Sequence, residues 1–319
     1  MIAQSDRLGA GIIAVDTEYV RPRMDASYLI VDGGRAAFVD AGTHHSVPNL
    51  LAALAAEGLE PGAVDYILLT HVHLDHAGGA GRLSQALPSA KILVHPRGAG
   101  HLADPTKLAA ATKAVYGDAA FASLYHELLP IPPERIITAD DGFEFQLGRR
   151  RLHAIHTPGH ALHHICIHDR DSCELFAGDT FGVSYRELDT AAGAFIFPTT
   201  SPSQFDPRQL HASIERILRL RPDSVFLTHY GRVTGIERLG ADLHADIDAF
   251  VAIAESVVEG APTLPERTAL MEQHLFEYLA NRLDVHGNTD APEVRHRLLD
   301  ADVTLNAAGL AAWLARRDL

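Results

Sequence analysis

The apolar residues of this chain fall into short runs separated by turns rich in glycine, proline and aspartate. Ile12-Ile13-Ala14-Val15 and Ser27-Tyr28-Leu29-Ile30-Val31 read as strands, and Ala36-Ala37-Phe38-Val39-Asp40 returns as a partner strand. Asp32-Gly33-Gly34-Arg35 between the last two is a hairpin turn, since both glycines tolerate positive φ. Tyr66-Ile67-Leu68-Leu69 and Lys91-Ile92-Leu93-Val94-His95 are buried core strands. A second group follows at 135–138, 142–145, 151–155, 164–167 and 174–177, and the last strand lies at 224–227. Helical spacing appears at 47–56, where Ser46 is an N-cap, Gly58 a stop and Leu50, Leu51 and Leu54 one apolar stripe. It recurs at about 81–87, at 207–220 and at 235–258. Alternation of strands and helices predicts an α/β fold with layered sheets.

Three stretches stand apart. Residues 96–130 carry Leu102, Leu108, Phe121, Leu124, Tyr125 and Leu128 at roughly helical spacing, broken at Asp104-Pro105 and Gly117-Asp118. They predict a helical insertion on the ligand side of the sheet, serving either as a lid or substrate-pocket wall, or as core packing or an oligomer contact. Residues 182–205 are long, weakly periodic and rich in Pro, Thr, Ser and Gly, which suits a pocket-forming loop. Tyr185 in this loop is a candidate to hydrogen-bond a substrate carbonyl, with aromatic packing as the plainer reading. Residues 261–319 are helical in pattern and form a C-terminal extension to a main domain at 1–260. That extension admits three readings: a small subdomain, a homodimer contact or a pocket wall.

The chemistry concentrates in Thr70-His71-Val72-His73-Leu74-Asp75-His76-Ala77-Gly78-Gly79. These side chains directly follow the Tyr66–Leu69 run, so they occupy a loop at the carboxyl end of a core strand. A helix is expected to begin just beyond the glycine pair. Neutral imidazoles suit zinc or ferrous iron, and a carboxylate completes the shell or holds a water. On such a loop His71 and His73 can face one ion while Asp75 and His76 reach a neighbour.

His-x-His-x-Asp-His after an apolar strand resembles the metallo-β-lactamase fold superfamily, whose members are mostly dinuclear metal hydrolases. Thr157-Pro158-Gly159-His160, Phe176-Ala177-Gly178-Asp179 and Leu227-Thr228-His229-Tyr230-Gly231 resemble the family's later motifs, in order. The resemblance implies an αββα sandwich of two mixed sheets. It implies one metal held by His71, His73 and His160, a second held by Asp75, His76 and His229, and Asp179 bridging both. It further implies a metal-bridging hydroxide that attacks the carbonyl of an ester, thioester or lactone, with Asp75 positioning the water. Two divalent ions are expected, zinc first, with iron or manganese compatible with the same ligands. Asp40 is either an acceptor for a metal-binding histidine or a turn cap, and His163 and His164 are candidates to orient His160.

The chain departs from two subfamilies. Thr180-Phe181-Gly182 stands where glyoxalase II-type thioesterases carry Cys-Gly-Arg, which weighs against glutathione recognition. Acyl-homoserine lactonases place a tyrosine three residues after the bridging aspartate, where this chain has Gly182. A different class, the diiron oxygen-binding or redox proteins of the same fold, uses a similar ligand set. Flavodiiron reductases typically carry a carboxylate at the His73 position and a following flavin domain. No phosphate-cradling loop follows Arg232, and no Cys-x-x-Cys pair occurs.

Charge narrows the partners. A net charge of -14 over 319 residues disfavours nucleic acid, whose phosphates need clustered Lys and Arg. Arg149-Arg150-Arg151 is the local exception and reads as a solvated hairpin turn. The N-terminal residues do not pattern as a secretory leader, and no apolar run reaches membrane-spanning length. The expectation is therefore a cytoplasmic protein acting on a small molecule, with no membrane partner. Cys166 and Cys173 flank Asp169-Arg170-Asp171-Ser172 and read as free thiols, one of them buried.

Overall fold

The computed structural model describes residues 5–200, 204–258 and 263–317. Residues 1–4 of the terminus read above, and 261, 262, 318 and 319 of the C-terminal extension, lie outside the described residues. The chain divides into two compact units. The first comprises the chain up to His156, His163–Gly178 and Pro222–Arg232; the second comprises Thr157–Leu162, Asp179–Arg221 and the chain from Val233 onward.

Two mixed sheets build the first unit. One runs in the order β1 (Ser5–Gly9), β2 (Ile12–Asp16), β3 (Ala26–Asp32), β4 (Arg35–Val39), β5 (Val64–Leu68), β6 (Lys91–Val94), β7 (Ile136–Thr138). β1 to β4 are antiparallel and β4 to β7 parallel. Gly33 and Gly34 both take positive φ in the β3–β4 turn, where Asp32 pairs with Arg35. The other sheet places β8 (Glu144–Leu147), β9 (Arg150–His156), β10 (Ile165–Asp169) and β11 (Glu174–Gly178) in an antiparallel run. β12 (Ser224–Leu227) pairs parallel to β11, and β13 (Gly231–Val233) closes that edge.

The sheets meet through aromatic side chains. The Tyr28 ring lies 5.4 Å from Phe176 and 5.3 Å from Phe226, and its hydroxyl donates to the Leu227 carbonyl. Burial of one such ring contributes about 2 kcal/mol. On the opposite face of the first sheet, α1 (Val47–Ala56) buries Val47, Leu50, Ala53 and Leu54 in one cluster with Leu29, Phe38 and Ile67. Strands covered on both faces explain the unbroken apolar runs of β4 to β6.

One part of the loop forecast needs correcting. The segment after His73 is helical rather than irregular: α2 (Leu74–Ala77) is a single turn, closed by the His76 and Ala77 amides on the His73 carbonyl at 3.1 and 2.8 Å. α3 (Ala80–Ala86) starts immediately after the glycine pair. The 96–130 insertion is α4 (Pro96–Ala103), α5 (Thr106–Tyr116) and α6 (Asp118–Leu124). Phe121 and Tyr125 of this insertion pack with Leu74 of α2, so it buttresses the histidine-bearing turn.

The second unit is helical: α7 (Pro207–Leu220), α8 (Ile236–Ser256), α9 (Leu264–Val285) and α10 (Pro292–Arg317). Asp206 caps α7, its side chain accepting from the Gln209 amide at 3.0 Å, with Pro207 at the first helical position. None of these helices, nor any other among the described residues, is long and apolar enough to cross a membrane.

Elsewhere the arginine run is paired residue by residue. Arg149 meets Asp32, Arg150 meets Asp169 and Arg151 meets Asp171, at 3.2, 2.5 and 2.6 Å. Both cysteines are free, Cys166 buried and Cys173 exposed.

Candidate metal centre

The site is built where strands of the first unit end. β5 delivers Thr70, whose carbonyl accepts from the Ile165 amide at 2.8 Å and thereby ties the two sheets together. His71 and His73 follow, their Nε2 and Nδ1 atoms 2.8 Å apart. The turn of α2 then swings Asp75 and His76 to the same end, and the His71 and His76 rings lie 4.0 Å apart. β12 supplies His229 just past its carboxyl end. Donor atoms of Asp75, His76 and His229 all fall within 4.8 Å of one another. The first unit thus gathers five of the residues that the sequence motifs single out.

Two glycines make this close packing feasible. A Cβ on Gly79 would sit 2.5 Å from the carbonyl oxygens of both Ala41 and Thr43. Gly178 has φ +49°, and a Cβ there would lie 2.6 Å from His164 Nε2.

Hydrogen bonds fix which face each imidazole presents. Asp40 accepts from His76 Nδ1 at 2.8 Å, and also from the Thr70 amide and the Thr70 and Thr228 hydroxyls. Asp40 is therefore the acceptor that orients a histidine, the first of the two readings that its position allowed. His229 Nδ1 donates to the Met24 carbonyl at 3.0 Å. With Nδ1 committed, His76 and His229 turn Nε2 toward Asp75, at 3.6 and 3.4 Å. His164 stacks 5.0 Å from His71, and His163 lies 5.7 Å from His73, so both brace this histidine pair.

The second unit holds its own donor pair at the points where its chain segments begin. His160 Nε2 lies 3.3 Å from Asp179 Oδ2. His160 Nδ1 donates to the Thr199 carbonyl at 3.2 Å, again leaving Nε2 to face a carboxylate. Tyr185 is fully buried beside Phe197, and its hydroxyl donates to Asp302 of α10 at 3.0 Å.

Sequence reasoning passed over Asp25. It is fully buried immediately before β3. Burial pushes its carboxyl up to about 8, with His229 and His76 pulling it down and Asp75 and Asp40 pushing it higher. An aspartate one residue before a buried strand run, Ala26-Ser27-Tyr28-Leu29-Ile30, was the available signal.

The donor chemistry fits divalent cations. Imidazole nitrogens with tautomers fixed by hydrogen bonds converge with carboxylates at a buried strand end, which is how proteins hold zinc or iron. A profile of the Metallo-beta-lactamase superfamily matches residues 20–229. The chain belongs to that superfamily. Among its relatives, an acyl-coenzyme A thioesterase of Gallus gallus is 32% identical over 178 residues, 54% of this chain and 63% of that protein. A hydroxyacylglutathione hydrolase of Acidiphilium cryptum is 28% identical over 249 residues, 76% of this chain and 81% of that one. The crystal structure of an archaeal superfamily protein from Sulfolobus tokodaii has a TM-score of 0.66 at 24% identity. It covers 95% of this chain and 98% of that chain, and supports the fold: an α/β sandwich of two mixed sheets with helices.

Proposed function

We propose that this protein is a metal-dependent hydrolase of acyl thioesters, with esters and lactones as the wider class its chemistry admits. The observation that carries the reading is the convergence of Asp75, His76 and His229 beside the His71–His73 pair, each of His76 and His229 anchored through Nδ1. The superfamily pattern supplies the rest of the proposal: His71, His73 and His160 would hold one ion, Asp75, His76 and His229 would hold the other, and Asp179 would serve both. When bound, divalent ions supply a water acidified to near neutral pH and a Lewis acid for the developing oxyanion.

The chain's own residues do the remaining work. Asp75 accepts a hydrogen bond from the attacking water and aims it at the carbonyl carbon. Asp40, Met24 and Thr199 hold His76, His229 and His160 through Nδ1, so that Nε2 is preorganised. The net reaction consumes one water and yields a carboxylic acid and a thiol. Tyr185 takes no part in this proposal, because its hydroxyl is committed to Asp302.

Thioesters lead because the two named relatives act, by their names, on coenzyme A and glutathione conjugates. Thr180-Phe181-Gly182 in place of Cys-Gly-Arg turns the choice away from glutathione. The test is a panel of acyl-coenzyme A esters, acylglutathiones, simple esters and lactones offered to protein loaded in turn with zinc, iron and manganese. Turnover of acyl thioesters in at least one loaded form is expected. Absence of hydrolysis in every form, with the metal bound, would overturn the proposal.

A further inference from the structure

Asp25 lies at the root of His229. The residue before it, Met24, gives its carbonyl to His229 Nδ1 at 3.0 Å, and the residue after it, Ala26, donates its amide to the Thr228 carbonyl at 2.8 Å. The Asp25 carbonyl itself accepts from the Thr17 amide and hydroxyl, both at 3.0 Å. The backbone is thus pinned on both sides, and the side chain is held inside with no exposure.

Among the described residues, neither carboxyl oxygen of Asp25 has a hydrogen-bond partner. The contrast with Asp40 is direct: the Thr70 and Thr228 hydroxyls, the Thr70 amide and His76 all serve that carboxylate. A buried carboxylate with both oxygens unserved destabilises the fold unless a counter-charge offsets it. His229, His76, Asp75 and Asp40 act on Asp25 electrostatically, and the first three of these are the donors of one candidate cation site.

We propose that Asp25 is a further anionic partner of the cation held by Asp75, His76 and His229, an inference that rests on the metal-centre reading above. Its cost in the metal-free fold is offset when that cation binds. A purely structural carboxyl would behave in the opposite way, since its removal would harm the metal-free fold as much as the loaded one.

The experiment compares wild type with Asp25→Asn, which keeps the shape and removes the charge, and with Asp25→Ala. Each is stripped with chelator and titrated with Zn²⁺ against a chromophoric competitor, and Tm is read with and without the ion. In both variants one of the two Zn²⁺ affinities is expected to fall at least about tenfold. The Tm of the stripped variants is expected to equal or exceed that of stripped wild type, so the gain in Tm on loading shrinks. Wild-type affinity at both sites in the variants would overturn the proposal. So would a metal-free Tm that drops as far as the loaded one, or failure of both variants to fold. Wild type that binds no Zn²⁺ and no other divalent ion would instead bring down the metal-centre reading on which the proposal stands.

Discussion

Two buried clusters of charge in this molecule solve the same problem differently. In the second unit, Asp246 of α8 sits fully buried with Arg282 and Tyr278 of α9 as its partners, the phenol at 2.7 Å. Burial pushes the Asp246 carboxyl up to about 6, against the pull of Arg282 and the Tyr278 hydroxyl. That cluster closes on itself: a carboxylate, a fixed guanidinium and a phenol at a helix–helix seam. In the first unit, Asp40 and Asp75 meet imidazoles instead, and Asp25 adds a third carboxyl nearby. Unlike a guanidinium, an imidazole can offer a nitrogen lone pair to a cation, so that cluster has donors where the Asp246 cluster has none. One arrangement staples two helices, and the other gathers donors that could hold an ion.

Substitutions break the comparison at different strengths. His73→Ala and Asp179→Ala should lower turnover by about a thousandfold or more and reduce bound metal. Kinetics with elemental analysis on the same samples checks this, and unchanged turnover in either variant would sink the two-ion assignment. Asp246→Ala leaves Arg282 without its buried partner and should cost about 3 kcal/mol of stability in denaturant melts, with metal content unaltered. Asp40→Asn keeps the volume but loosens His76, and should weaken metal affinity by about 10–100-fold in chelator competition.

The smallest effect concerns acid stability. His95, stacked 4.4 Å from His156, is held down to about 4 by burial, below the ordinary 6.5. The native state therefore binds fewer protons than the unfolded chain between those values. Its contribution is fully present above pH 6.5 and fades as pH falls toward 4. His95 also caps α4, accepting from the Arg97 amide, so His95→Asn keeps an acceptor and removes the titration. Urea melts of the metal-free protein should show the acid limb flattened by about 1 kcal/mol in that variant.

Much of this was written in the residue order. The apolar runs marked the central strands because both of their faces are covered, and the glycine pair marked the turn after the histidines. β1 escaped because Ser5-Asp6-Arg7-Leu8-Gly9 is an edge strand alternating between exposed and half-buried positions, with no apolar run. α2 escaped because a single turn has no periodicity to read. The His71–His76 motif was legible because its chemistry is local. Asp40 was visible only as a choice between two roles, since its partners Thr70, His76 and Thr228 lie 30, 36 and 188 residues away. Tyr185 illustrates the same limit from the other side: its partner Asp302 is 117 residues on, and nothing in the loop itself announced that bond.

The most direct measurement is the elemental metal content of the protein as purified, with visible spectra recorded in air and without oxygen. The account predicts about two divalent ions per chain and a spectrum that oxygen does not change. Protein that holds no divalent ion, or that carries iron with an oxygen-dependent absorption band, would contradict it.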